Sequence, residues 1–179
     1  MNAATKITSD HIFDGQFESF TKELNELQQL TLFLCGNPDR ADDAAGFDLY
    51  NRLKNNNNIM NNKDILLIYD LQWQLEDALN LSRDRVALFI DSAVGQNSLI
   101  QLAAISKPEE FTPFSHSLNP AQLLNVSDQI GQQRPDHVWQ LTISGHEYEL
   151  GERMTTQCRQ VTEQVGDLLL NLLLTWQKN

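Results

Sequence analysis

The chain has 179 residues, 41% hydrophobic and 21% charged, which suits one domain with a sizeable core and excludes a disordered polymer. Its net charge of -11 argues against nucleic acid as a partner, because displacing phosphate counterions needs an excess of Lys and Arg. Two isolated cysteines make no disulfide framework, the longest apolar run (168–174) is broken by Asn171, and no basic-then-apolar leader opens the chain; the expectation is a cytoplasmic protein with no membrane segment.

The first nine residues carry no pattern. From Ile12 to Leu30, the apolar positions Ile12, Phe13, Phe17, Phe20, Leu24, Leu27 and Leu30 recur at steps of three and four. That spacing predicts a helix with one apolar face, opposite Asp14, Glu18, Glu23 and Glu26. Such a face is expected to pack on its own domain rather than on a partner. Residues 1–30 are therefore read as an N-terminal extension carrying an acidic amphipathic helix. Residues 31–179 are read as the main domain.

A buried strand is predicted over Thr31–Cys35, followed by the turn Gly36-Asn37-Pro38 and a helix from Asp42 to Lys54. The asparagines at 55–58, 61 and 62 read as a polar surface loop. Strands follow at Ile65–Tyr69 and Val86–Ile90, with a short helix near Leu75–Leu81 between them. A further strand is expected within Leu99–Ile105. Pro120 suits a first helical turn and Asn119 suits its cap, so a helix is predicted over 119–133. His137–Ile143 alternates as a strand does. Met154–Gln177 reads as a long terminal helix. The alternation predicts a single-domain α/β three-layer sandwich: a mostly parallel twisted sheet of about five strands with helices on both faces.

The polar residues that break this pattern fall where an open α/β sheet builds sites, at the carboxyl ends of its strands. Asp42 and Asp43 open a helix, Asp91 ends an apolar strand, and His116 lies on a later loop. The glycine spacing is not that of a dinucleotide loop, and acids stand where a phosphate needs bare amides. Two carboxylates and an imidazole instead suit a borderline divalent metal with positions left open. Each residue also has a plainer role. Asp42 can cap its helix, Asp43 can favour the helix dipole, and His116 can be an ordinary loop histidine. Asp91 favours function most, since an unpaired carboxylate at a buried strand end is costly. Neither a zinc helix nor a serine elbow occurs. Cys35 and Cys158 read as small buried hydrophobes. Trp73, Trp139 and Trp176 read as packing residues, and His11, His137 and His146 as surface or partly buried ones.

With these residues in hand, the chain resembles the hydrogenase maturation endopeptidases over about residues 31–175. Gly36, Asn37, Asp42, Asp43 and Gly46 match that family's opening segment. Phe89-Ile90-Asp91-Ser92-Ala93 matches its second strand end. Ser115-His116-Ser117-Leu118 with Leu123-Leu124 matches its histidine loop. Gln72, Glu76 and Ala78 look like a stretch found in some members, and residues 145–152 like a segment before the last helix. Ala41 departs from the pattern, standing where Gly is common, as does Ala44.

The resemblance implies a protease that trims the C-terminal extension from the large-subunit precursor of a nickel–iron hydrogenase after nickel insertion. It implies that Asp43, Asp91 and His116 contact nickel supplied by that substrate, with no permanent metal in the protease. It implies roles in substrate binding for Gly36, Asn37, Asp42, Gln72 and Glu76. The precursor is the expected partner, of a monomer. A non-enzymatic nickel-binding assembly factor would use the same three ligands without cleavage. A peptidyl-tRNA hydrolase and a receiver-like domain fit less well; the acidic balance opposes the first, and the second needs a lysine near a later strand end.

Overall fold

In the computed structural model, residues 15–106 and 118–176 are described. Five strands form one sheet: β1 (Leu30–Cys35), β2 (Ile65–Asp70), β3 (Val86–Val94), β4 (Ile100–Ala104) and β5 (Val138–Gly145), in spatial order β2-β1-β3-β5-β4. All neighbours are parallel except β4, which runs antiparallel along β5 at the edge. The helices are α1 (Gln16–Leu27), α2 (Ala45–Lys54), α3 (Asn57–Met60), α4 (Pro120–Gln129) and α5 (Thr156–Trp176). No described helix is long and apolar enough to cross a membrane.

The interior strand β1 is buried on both faces, as its unbroken run of mostly apolar residues requires. Alternate side chains feed two cores. Leu30, Leu32 and Leu34 join Val86, Leu88 and Ile90 beneath Leu49 and Leu53 of α2 and Val161, Val165 and Leu169 of α5. Phe33, Cys35, Ala87 and Phe89 face the other layer, with Trp73, Leu123 and Leu124. Phe33 stacks on Phe89 at 4.5 Å between ring centroids. Each fully buried Leu or Phe stabilises by roughly 1.5–3 kcal/mol, so these two layers hold the sheet ends in place.

Helix α1 packs on this core. Phe20 and Leu24 are buried, Phe20 meets the Trp139 ring edge-on at 5.9 Å, and Glu23 accepts the Trp139 indole N–H at 2.6 Å. The helix ends at Leu27 because Gln28 turns left-handed (φ 56°), so Leu30 begins β1 instead of continuing the helical face. Two other boundaries differ from the sequence reading. Strand β3 runs past Ile90 to Val94, because β5 goes on pairing with it from Asp91↔Thr142 to Val94↔Gly145. The asparagine loop contains the single turn α3, capped by Asn56, whose side chain accepts the amides of Asn58 and Ile59.

After β1 the chain moves outward to β2, then returns to the opposite side of β1 as β3. The β1–β3 boundary is therefore a topological switch point, where a crevice opens at the carboxyl ends of the strands.

Candidate functional site

The loop at this crevice is shaped by two glycines. Gly36 has a φ of 149°, and a methyl there would strike the Asp43 carbonyl oxygen. A methyl on Gly46 would strike the Cys35 carbonyl, so the start of α2 lies directly against the end of β1. The Gly36 carbonyl accepts from the Tyr69 hydroxyl at 2.8 Å, and its amide donates to the Asp70 carbonyl at 3.2 Å. The Asn37 amide donates to Asp43 Oδ2 at 3.1 Å, while its side-chain oxygen accepts the Asp39 amide at 2.9 Å. Asn37 thus holds the turn and orients Asp43. The Asp43 side chain stays half-buried at the crevice.

Asp42 points the other way and is fully buried. Its Oδ2 accepts the amides of His146 (2.8 Å) and Glu147 (3.2 Å) and the Thr155 hydroxyl (3.1 Å); its Oδ1 accepts the Thr155 amide (2.7 Å). It makes no side-chain cap to its own helix, so the capping role read from sequence does not hold. Burial alone would raise this carboxyl, but the His146, Thr155 and Glu147 amides and the Thr155 hydroxyl outweigh it and hold the group below the usual range. With no exposed atom, Asp42 fastens the site loop to residues 146–155 from within. The Ala41 amide to the Glu152 carbonyl (3.2 Å) and the Gly151 amide to the Asp39 carbonyl (2.7 Å) extend the same seam.

Asp91 lies one residue beyond the last β1–β3 pair, Leu34↔Ile90, where β1 has turned away. Its Oδ1 accepts the Ser92 amide at 2.7 Å. Burial pushes its carboxyl up to about 7; the Ser92 amide opposes this and the nearby Asp43 charge adds to it. Asp43 and Asp91 lie at the same switch point close enough for their charges to repel, and a cation bound there would relieve both burial and repulsion. The Cys35 thiol lies beneath, raised by burial and then by Asp91 and Asp43. It is a protonated, inert residue, as the sequence suggested, and Cys158 is likewise buried and raised to about 12.

His116 lies outside the described residues, in the connection between β4 and α4. Among the described residues no three His, Cys, Asp or Glu side chains form a metal-binding group; the crevice supplies two carboxylates. Gln72 and Glu76 are exposed on the segment after β2. The same segment carries a buried acid that the sequence reading missed, Asp77. It is 3% exposed and accepts the Gln74 amide at 2.8 Å. Burial raises its carboxyl to about 6; the Gln74 amide opposes this and neighbouring Asp70 adds to it. The sequence signal was available: an acid three residues after Gln74 at a helix start is a capping pattern.

A three-layer sandwich with paired carboxylates at its switch-point crevice defines the class. Solved structures then specify the fold. The nickel–iron hydrogenase maturation protease HycI of Thermococcus kodakarensis KOD1 aligns with a TM-score of 0.58 over 84% of this chain and 98% of its own, at 16% identity. The hydrogenase maturating endopeptidase HybD of E. coli aligns at 0.63 over 81% and 91%, at 13% identity. The endopeptidase HycI of Escherichia coli aligns at 0.55 over 78% and 87%, at 17% identity. This chain has the fold of the hydrogenase maturation proteases. No protein-family model and no curated protein sequence matches it.

Proposed function

We propose that the protein is an endopeptidase of hydrogenase maturation, removing the C-terminal extension of a nickel–iron hydrogenase large-subunit precursor once nickel has been inserted. One observation supports the reading: Asp43, on the loop after β1, and Asp91, just past the last β1–β3 pair, both lie at the switch point of a fold that the named maturation proteases share. Nickel is cargo of the precursor, not a resident cofactor. Asp43 and Asp91 offer it oxygens, and His116 a nitrogen, leaving positions open.

Binding the ion requires Asp91 to release a proton that burial otherwise retains, and the ion's charge favours that release. The bound divalent ion polarises the scissile carbonyl or acidifies a water. A precursor carrying nickel is held more tightly than one without, so cleavage follows insertion. Asp42 and Asn37 serve by fixing the loop that carries Asp43. The protein acts as a monomer in the cytoplasm, with the precursor as its partner.

Single Asp43→Ala, Asp91→Ala and His116→Ala variants test the assignment. Each is expected to lose processing of the precursor while its circular dichroism and cooperative unfolding are retained. Full processing by all three would overturn the site.

A further inference from the structure

The segment after β2 presents three leucines to solvent: Leu71, Leu75 and Leu79, at 53%, 56% and 59% exposure. The segment beneath them is anchored. Trp73 meets Phe89 edge-on at 5.3 Å, Asp77 holds the Gln74 amide, and Ala78 is fully buried. The leucines are thus displayed by an ordered frame. Lone exposed apolar residues such as Met60 and Ile130 are ordinary, but three within nine residues make a surface that loses free energy by staying wet.

The ridge adjoins the candidate site. Leu71 follows Asp70, the last residue of β2, and its carbonyl accepts the Cys35 thiol at 3.7 Å. Cys35 immediately precedes the loop that carries Asp43. The charge beside the leucines is acidic: residues 70–79 contain exposed Glu76 and half-buried Asp70, with Asp77 buried beneath them, and no Lys, Arg or His. A second copy of this chain would bring another net charge of -11 and is disfavoured as the occupant.

We infer that the Leu71–Leu75–Leu79 ridge docks a polypeptide segment of the precursor that carries apolar side chains flanked by Lys or Arg. The inference rests on the proposed function for the identity of the partner. The apolar residues cover the leucines, the cations meet Asp70 and Glu76, and the docked chain leads on toward Asp43 and Asp91.

Fluorescence anisotropy of a labelled, nickel-loaded large-subunit precursor tests this, with cleavage followed in parallel. The variants are Leu75→Asn/Leu79→Asn and, as a remote exposed control, Ile130→Asn. The double variant is expected to bind at least about tenfold more weakly, the loss from uncovering two anchoring leucines. It should keep the parent unfolding temperature, since both side chains already face solvent, and the control should bind normally. Equal binding by parent and double variant overturns the ridge even if cleavage is normal. A parent that binds without cleaving overturns the peptidase reading, and the ratio of dissociation constants still decides the ridge. A parent that does not bind overturns both.

Discussion

The Asp42 Oδ1 accepts the Thr155 amide at 2.7 Å, tying the loop after β1 to the start of α5. Thr155 caps that helix through its hydroxyl, which accepts the Cys158 amide at 3.2 Å. One buried carboxylate thus couples the site loop, the chain after β5 and the last helix. Asp42→Ala leaves its donors unpaired and is expected to cost about 3–5 kcal/mol. That lowers Tm by roughly 2–4 °C for each kcal/mol in a chain of this size. The folded carboxyl is depressed, so its contribution is full above the unfolded pKa of about 3.9 and is lost as pH falls through the lower folded value. Thermal unfolding at neutral pH checks the magnitude; a shift within error would refute the role.

Asp91 has the opposite sign. Its folded carboxyl, near 7, stays protonated where the unfolded one, near ~3.9, has ionised. The native state therefore binds the extra proton between those values, and this group's contribution to stability falls as pH rises from about 4 to 7. Asp91→Asn is expected to raise Tm at pH 8, to change it little at pH 4, and to abolish processing. Parallel pH series of unfolding for parent and variant measure this. Equal Tm differences at both pH values would contradict the burial assigned to Asp91.

The loop backbone makes a paired prediction. Ala41 sits at φ 46° and ψ -115°, a strained conformation for a residue with a side chain. Ala41→Gly relieves strain of roughly 1–3 kcal/mol and loses a buried methyl worth about 1 kcal/mol, so it should be neutral to stabilising by up to ~2 kcal/mol. Gly46→Ala drives a methyl into the Cys35 carbonyl and should destabilise by ~3 kcal/mol or more. Denaturant melts should show Gly46→Ala clearly less stable than the parent and Ala41→Gly at least as stable. A stable Gly46→Ala protein would contradict the close strand–helix contact.

Much of this architecture could be read locally. The apolar run before Gly36 and the restart at Asp42 located β1, its turn and α2, because strand burial and helix periodicity are short-range signals. The departure at Ala41, where glycine was expected, coincides with the strained backbone. The role of Asp42 could not be read that way, since its partners lie 104 to 113 residues further along the chain. The extension of β3 beyond Ile90 depends on its register with β5, and the antiparallel course of β4 on its place at the sheet edge. The capping of Gln74 by Asp77 is a local signal, but its burial was not legible, since the 75–80 turn that carries it packs against α4, about forty residues further along the chain.

The most direct test of the account is mass spectrometry of a purified hydrogenase large-subunit precursor incubated with this protein, in nickel-loaded and nickel-free forms. The expected result is release of a C-terminal peptide from the nickel-loaded precursor alone. A nickel-loaded precursor that binds and remains intact would contradict the peptidase reading, and equal cleavage of both forms would contradict the metal gate.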